Sequence, residues 1–179
     1  MKNITSYQGR LPKFHLHRLT PADCHEFDQI VDFIMRSRKQ LFPMLDHQQL
    51  PDDLAHFQQT FIDDDLGCLI KLENGSQLIG VVGFKRYDHR FSNFNLSSTP
   101  VVEIVKLFIH EDFRQLGLAS VLIDHLKTIA TQRKIKTLYL HTHPFLNGAE
   151  IFWLKQGFHK ILQEDDGIWN TIHMTADLI

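Results

Sequence analysis

The sequence contains very little cysteine, and what it has forms no framework. Cys24 and Cys68 are the only 2 cysteines among 179 residues, and there is no CxxC pair. Small disulfide-stabilised proteins carry several cysteines at short spacing, so we interpret these two as reduced thiols. Reduced thiols are typical of the cytoplasm, and the sequence therefore predicts a cytoplasmic protein.

Long hydrophobic runs are also absent. Apolar stretches such as residues 78–84 are far shorter than the roughly 20 residues that a membrane-spanning helix needs. Residues 1–10 lack the basic segment followed by an apolar run that marks a secretory signal. We therefore expect no membrane partner.

Neither sign of charge is in large excess. Lys and Arg number 19, Asp and Glu number 21, and the formal net charge is -2. A protein held to nucleic acid by phosphate contacts usually has a basic surplus, so we expect no nucleic-acid partner. The composition, 43% hydrophobic and 22% charged, is that of an ordinary globular protein, and the length fits one domain.

Histidine is the residue that the sequence has in plenty, with 12 copies. Two pairs, His15 with His17 and His141 with His143, alternate along predicted strands, so each pair points to one side. Metal ions bind such pairs, but neither pair has a cysteine or a third ligand close in sequence. We therefore expect no bound metal. The histidines then either take part in proton transfer or have no chemical role, and the sequence leaves both interpretations open.

Hydrophobic periodicity divides the chain into alternating strands and helices. Thr20 and Pro21 are typical of a helix start, and Pro51 begins a second helical region. The apolar runs 68–72 and 77–87 flank turn residues and predict a hairpin. The remaining pattern predicts strands at 14–19, 101–109, 137–142, 157–162 and 168–174, helices at 118–131 and 147–156, and a loop at 88–100. This order predicts an α/β domain built on one mixed sheet, with helices on both faces.

One strand-to-helix connection contains the motif Arg114-x-x-Gly117-x-Ala119. Glycine lets the backbone approach a ligand there, and the free N–H groups of the first helical turn favour a phosphate or pyrophosphate. An ordinary turn, with glycine present for packing, is the alternative interpretation. The motif is neither a GK[ST] P-loop nor a GxGxxG dinucleotide fingerprint.

Together with its surroundings, this motif resembles the signature of the GNAT superfamily of acyl-CoA-dependent N-acyltransferases. Residues 103–109 (EIVKLFI) resemble the family's fourth strand, residues 147–158 (NGAEIFWLKQGF) its second motif, and residues 173–178 its last strand. The resemblance implies the GNAT-like acyl-CoA N-acyltransferase fold, whose central mixed sheet is splayed between the fourth and fifth strands. It also implies a single domain over residues 1–179, with residues 1–13 as an N-terminal extension and the acyl-CoA motifs in residues 101–179.

By the same resemblance, acetyl-CoA is the acyl-donor cosubstrate, and a primary amine attacks its thioester directly. The glycine-containing loop would cradle the pyrophosphate, backbone amides of the fourth strand would hold the oxyanion, and Asn147 would contact the pantetheine arm. The residues assigned to cofactor binding are Leu107, Phe108, Ile109, Arg114, Gln115, Leu116, Gly117, Leu118, Ala119, Asn147 and Trp153.

Three side chains are candidates for the catalytic base. Glu103 stands where several family members place a glutamate, and its apolar neighbours would desolvate it and raise its pKa. The alternative is a strand glutamate paired with Lys or Arg. His141 and His143 are the rivals, because both project to one face near the end of a strand and imidazole titrates near working pH. For them the alternative is a polar strand end with solvated rings.

Trp153 departs from the family pattern, which usually has a tyrosine there to protonate the leaving thiolate. An indole N–H donates a hydrogen bond but is not a practical acid. Tyr139 or water is the alternative acid, and Trp153 would instead form an apolar wall for pantetheine. The departure also motivates a second hypothesis, an acyl-CoA-binding regulatory module with little or no turnover.

The acceptor is open between a small-molecule amine and a peptide amine. Residues 23–62 and the loop 88–100 would select it, and acidic side chains such as Asp52 and Asp53 would attract a cationic amine. A monomer or a homodimer is expected.

Overall fold

A computed structural model describes residues 14–96 and 100–178. Its strands are β1 (Phe14–Arg18), β2 (Cys68–Asn74), β3 (Gln77–Arg86), β4 (Val101–Ile109), β5 (Thr137–Thr142), β6 (His159–Gln163) and β7 (Ile172–Asp177). Its α-helices are α1 (Phe27–Leu41), α2 (Asp52–Ala55), α3 (Leu118–Gln132) and α4 (Ala149–Lys155). The strands of the described residues form one mixed open sheet in the order β1-β2-β3-β4-β5-β7-β6. The predicted α/β class with a mixed sheet is therefore confirmed.

The chain divides into two compact units. The first unit runs up to Lys85 and resumes over Val105–Leu126, and the second consists of Arg86–Ile104 and the chain from Lys127 onward. Because the boundary falls inside β4, each unit contains part of that strand. The predicted N-terminal extension, residues 1–13, lies outside the described residues, and the single-domain assignment stays a prediction.

In the first unit, β1, β2 and β3 are antiparallel neighbours. Gly75 forms the turn between β2 and β3 with a φ of 63°, which confirms the predicted hairpin. The apolar stripe of α1 buries Ile30 and Ile34 in a core that also contains Phe61 and Phe108. Phe108 belongs to the end of β4, so this core fixes the strand that leads into the glycine-containing loop.

In the second unit, the start of β4 runs parallel to β5, and β5, β7 and β6 are antiparallel neighbours. The register places Glu103 opposite Tyr139 and His141 opposite His173. The aromatic side chains of the loop that follows β3 cover these residues, since the Phe91 ring lies 4.7 Å from the ring of His173 between centroids. Within the predicted loop at 88–100, the described residues 88–96 therefore pack over the strands β5 and β7.

Two helical regions differ from the predicted ones. The helix predicted to begin after Thr20 starts as a 3₁₀ turn over Pro21–Glu26, where the amide and hydroxyl of Thr20 both donate to Asp23 Oδ2 at 2.8 Å. The second helical region is broken, because α2 ends at Ala55 and a π-turn occupies Gln59–Asp63. Its predicted apolar face is nevertheless buried, at Leu54, Phe57 and Phe61.

The predicted closing strand is wrong at its start. It begins at Ile172 rather than at residue 168, because the Asp166 carboxylate accepts hydrogen bonds from the amides of Ile168, Trp169 and Asn170. Those bonds wind the chain into a turn that competes with strand pairing.

Candidate active site

The glycine-containing loop joins the end of β4 to α3 in the first unit. A 3₁₀ turn over Glu111–Phe113 follows the strand, and Gln115 and Gly117 then take φ values of 61° and 77°. A Cβ placed on Gly117 would meet no atom within 4 Å, so the glycine is required by its backbone conformation and not by crowding. The loop therefore presents its backbone to open space.

Anchoring of this loop comes from its two ends. Arg114 Nε donates to the Ile109 carbonyl at 3.0 Å, and the Leu118 side chain is buried at the start of α3. The amides of the first turn of α3 have no intrahelical acceptor, as at every helix start, and the helix dipole adds partial positive charge. The exposed loop, its positive φ angles and the start of the helix are together features of a phosphate-binding site.

The end of β4 contains a backbone irregularity that the sequence does not indicate. Lys106 has a φ of 59°, the left-handed region, although it lies inside a strand. The described register with β5 runs from Val101 to Glu103, at the start of β4. On the other edge, the His110 amide donates to the Ile79 carbonyl at 2.7 Å. Leu107, Phe108 and Ile109, the predicted oxyanion residues, thus follow directly after the bend.

Glu103 lies in the second unit and is fully buried, with 0% of its surface exposed. The Arg90 guanidinium contacts it with both terminal nitrogens, Nη1 to Oε2 at 2.8 Å and Nη2 to Oε1 at 2.5 Å. His141 Nδ1 lies 3.0 Å from Oε1. Burial alone would raise the pKa of Glu103, but the hydrogen bonds and charges of His141 and Arg90 outweigh it and hold the pKa at about 2.

This pKa corrects one expectation. The expectation that desolvation by apolar neighbours raises the pKa of Glu103 into the range of a base is wrong, because the contacts with His141 and Arg90 outweigh the desolvation. The alternative interpretation, a strand glutamate paired with an arginine, describes what the structure contains. An ionised Glu103 accepts hydrogen bonds only, so its place in the cluster is that of an acceptor.

His141 and His143 lie on one side of the chain, as their spacing predicts. Their rings meet edge to face with centroids 5.7 Å apart, and Phe91 packs on His141 at 5.9 Å. The His143 ring stacks on Phe145 at 5.1 Å and contacts Trp169 at 5.4 Å. Burial lowers the pKa of His143, and the neighbouring His141 lowers it further. His141 is 31% exposed and bonded to Glu103, whereas His143 belongs to an aromatic cluster.

Arg90 is the residue that sequence reasoning missed. It lies in a polar loop, where no periodic pattern marks a partner for a strand residue 13 positions later in the chain. Burial would lower the pKa of the Arg90 guanidinium, but its bonds to Glu103 and Asp88 raise it. A buried strand glutamate is itself the available signal, because an ionised carboxylate inside a protein needs a cationic partner.

The family model described as acetyltransferase (GNAT) family matches residues 30–158. The chain belongs to the GNAT acetyltransferase family. It is accordingly an acyl-CoA-dependent N-acyltransferase of the EC 2.3.1 type.

Solved structures share the fold of this GNAT protein at low sequence identity. A GNAT-family acetyltransferase from Staphylococcus aureus Mu50 superposes with a TM-score of 0.67 at 17% identity, with 100% of both chains covered. The GNAT domain of S. lividans PAT gives 0.70 at 17%, covering 99% of this chain and 97% of that one. The PaiA N-acetyltransferase from Thermoplasma acidophilum in complex with coenzyme A gives 0.63 at 14%, covering 92% and 99%. No curated protein matches the sequence.

Two other predicted site residues of this GNAT protein lie near α4. The helix predicted to begin at residue 147 begins at Ala149, so Asn147 lies in the turn before α4. Its side chain is exposed there. Trp153 is 7% exposed and packs edge to face against Phe152 at 5.1 Å and Phe158 at 5.2 Å. Their predicted contacts with pantetheine stay predictions.

Tyr139, the alternative acid, is fully buried, and its hydroxyl lies 2.8 Å from His173 Nδ1. Burial raises the pKa of Tyr139, and the Glu103 charge raises it further. Such a phenol is a poor proton donor at neutral pH. The hydroxyl instead forms a hydrogen bond with Nδ1 of the buried His173 ring.

The histidines and acidic side chains of the GNAT protein do not converge on a metal centre in the part of the chain that the structure describes. The described ranges contain no group of three or more His, Cys, Asp and Glu side chains able to hold a metal ion. Within those same ranges, no helix combines the length and the apolar character that crossing a membrane requires.

Proposed function

We propose that the protein transfers the acetyl group of acetyl-CoA to a primary amine by direct attack, with His141 as the base. The observation that carries the proposal is the hydrogen bond between His141 Nδ1 and Glu103 Oε1, at 3.0 Å. A carboxylate with a pKa of about 2 has no proton to donate at neutral pH. The hydrogen in this bond therefore belongs to Nδ1 of His141.

That assignment determines the state of the other ring nitrogen. In a neutral imidazole one nitrogen carries the hydrogen and the other carries a lone pair. With Nδ1–H donating to Glu103, the lone pair is on Nε2, which is the nitrogen able to accept a proton from an amine. Glu103 acts as a positioning residue that fixes the tautomer and stabilises the imidazolium once it forms.

The residues of the glycine-containing loop fit the phosphate end of the cosubstrate. A loop with positive φ at Gln115 and Gly117 and open space over Gly117 accommodates an anion close to the backbone. The backbone amides of Leu107, Phe108 and Ile109 would hold the oxyanion, a role that does not depend on side-chain identity. Asn147 and Trp153 would contact the pantetheine arm.

In the proposed reaction each proton has an assigned acceptor. Acetyl-CoA supplies a thioester carbonyl and a thiolate leaving group. His141 Nε2 takes the proton from the attacking nitrogen as the C–N bond forms and the C–S bond breaks. The thiolate takes its proton from water, because neither Trp153 nor Tyr139 is a practical acid.

The acceptor is proposed to be a small-molecule or peptide amine. Asp52, whose side chain is 96% exposed, supports a cationic acceptor, whereas Asp53 does not, because it is nearly buried and paired with Lys106. The formal net charge of -2 does not favour a polyanionic partner. A cytoplasmic location and a monomeric or homodimeric state are part of the same proposal.

An amine-panel assay tests the proposal. Free thiol release and the mass of the acetylated product are measured together, with acetyl-CoA as donor and polyamines, amino sugars, amino acids and peptides as acceptors. We expect matched thiol release and a gain of one acetyl group on at least one amine. Binding of acetyl-CoA without transfer to any amine would contradict the proposal and support a regulatory module.

A further inference from the structure

Lys106 is unusual in its backbone and in its side chain. Of the described non-glycine residues, Lys106 alone has a positive φ, 59°, inside a strand. L side chains rarely adopt this conformation, so surrounding contacts must hold it. The bend falls directly before the Leu107 amide, the first of the three that are proposed to hold the oxyanion.

The contact that restrains Lys106 is an ion pair with α2. Lys106 Nζ lies 3.0 Å from Asp53 Oδ2, and the two side chains are only 13% and 11% exposed. Burial lowers the pKa of the Lys106 ammonium, and Asp53 opposes that shift while Lys85 and Arg38 add to it. Asp53 is therefore the counter-charge that keeps a buried lysine in place.

The position of Asp53 is fixed by the residue that follows it in α2. The next residue, Leu54, is buried in the apolar core that also holds Phe61 and Phe108. The second carboxylate oxygen of Asp53, Oδ1, is buried without a hydrogen-bond partner. Loss of the Lys106 contact would leave the whole Asp53 carboxylate nearly buried without a cation, which is costly in free energy.

We propose that the Lys106–Asp53 ion pair is a positioning device that holds β4 in its left-handed bend and so aims the backbone amides of Leu107, Phe108 and Ile109 at the oxyanion. This inference rests on the proposed function, since it assigns a cause to the oxyanion geometry of that reaction. Both residues belong to the first unit. Neither acts on the substrate directly, because Lys106 is committed to Asp53 and the amides belong to the residues that follow.

Substitutions that separate backbone from charge test the device. Lys106→Val removes the ion pair and disfavours a positive φ, Lys106→Gly removes the ion pair but accepts the bend without strain, and Asp53→Asn removes the counter-charge. We expect Lys106→Val and Asp53→Asn to lower kcat by roughly tenfold to a hundredfold, as misplaced oxyanion donors do. KM for acetyl-CoA should stay within about twofold, because the loop at Gly117 is unchanged.

Rescue by glycine separates positioning from a direct charge effect. Lys106→Gly should recover most of the kcat that Lys106→Val loses and should keep the shape of the pH–rate profile. Equal losses in the two variants would overturn the proposal, because the ammonium itself would then be required. Full kcat in Lys106→Val would also overturn it.

A second buried ion pair of the same unit provides the matched control. Lys71 is 7% exposed at its side chain and bonds to Glu26 and Glu73, away from β4. Lys71→Met should lower thermal stability as Lys106→Val does, but leave kcat per folded molecule unchanged. A fall in kcat that tracks stability in all variants would reduce the Lys106 effect to a structural one and overturn the proposal.

The wild-type reaction distinguishes the two levels of inference. Transfer by the wild type with normal kcat in every Lys106 and Asp53 variant would remove the positioning device and leave the proposed function intact. Absence of transfer by the wild type to any amine would overturn the proposed function and this inference with it.

Discussion

His141 and Glu103 are joined by a hydrogen bond of 3.0 Å in which the carboxylate is fully buried and the ring is partly exposed. The Arg90 guanidinium occupies the rest of that carboxylate. The order of charges, arginine then glutamate then histidine, keeps the glutamate ionised and gives the imidazole a fixed hydrogen. Of the three, His141 is the one whose ring has a free lone pair, and the proposed function therefore gives it the proton of the attacking amine.

Replacing His141 tests this assignment. His141→Gln should lower kcat/KM by about a hundredfold or more at neutral pH, because general-base catalysis typically contributes 10²–10⁴. The deficit should shrink as the pH rises, since more of the free amine is then deprotonated without help. The measurement is the pH–rate profile of both proteins. His25→Gln, a change at an exposed ring, should leave that profile unchanged, and a constant deficit at all pH values would contradict a base role.

The depressed pKa of Glu103 predicts a loss of stability in acid. The folded pKa of about 2 lies below the ordinary value of 4.5, so the stabilisation is present above pH 4.5 and disappears as the pH falls towards 2. Its size is on the order of 3 kcal/mol. Urea unfolding across this range should show a shallower pH dependence in Glu103→Gln than in the wild type.

Asp23 offers the matched control for that experiment, because its pKa is also lowered to about 2. Burial opposes that shift, and the hydrogen bonds from His17 and Thr20 produce it. Asp23→Asn should lose pH-dependent stability in the same window while retaining acetyl transfer. An equal loss of transfer in both variants would mean that Glu103 matters only for folding.

Breaking the ion pair at Arg90 should cost more than the residue's exposed position suggests. Arg90→Met leaves the Glu103 carboxylate buried without its cation, which we expect to lower the free energy of unfolding by about 3 kcal/mol. The double variant Arg90→Met with Glu103→Gln should lose less than the sum of the single losses. Asp88→Asn, at the exposed side of Arg90, should change stability by less than about 1 kcal/mol. Additive losses in the double variant would show that the pair does not interact.

The loop assignment predicts a selective loss of affinity. Gly117→Val should weaken acetyl-CoA binding by at least about tenfold, because valine disfavours the φ of 77° on which the loop depends. Gly75→Val imposes a comparable backbone cost in the β2–β3 turn, where φ is 63° and a Cβ added to the glycine would meet no atom within 4 Å. Calorimetry should show unchanged affinity for Gly75→Val. Unchanged affinity for Gly117→Val would refute the pyrophosphate site.

Local patterns were sufficient to predict most elements of the fold. The β2–β3 hairpin, the strand at 101–109 and the helix that begins at Leu118 lie where turn residues and periodicity indicate them. Predicted boundaries shifted where a side chain bonds to nearby backbone, as Asp166 does before β7. Periodicity does not report such bonds, because they depend on single residues and not on a repeat.

The candidate site divides in the same way. The histidine pair and the glycine-containing loop are visible as short motifs, whereas the Arg90–Glu103 contact and the Lys106–Asp53 pair join residues from separate segments. Sequence spacing does not reveal which loop cation meets a strand carboxylate, and a positive φ at lysine is against its intrinsic preference. The prediction for the pKa of Glu103 is wrong because the sequence does not show its contacts with Arg90 and His141.

The packing of Trp169 on His143 also gives the protein an optical signal. Of the 2 tryptophans, Trp153 lies in a phenylalanine environment and Trp169 lies 5.4 Å from an imidazole. A protonated imidazole quenches indole emission more strongly than a neutral one. Because burial lowers the pKa of His143, Trp169 should stay bright to a more acidic pH than a tryptophan beside a solvated histidine. In a Trp153→Phe variant, the fluorescence of Trp169 would then report the protonation state of His143, the ring next to His141.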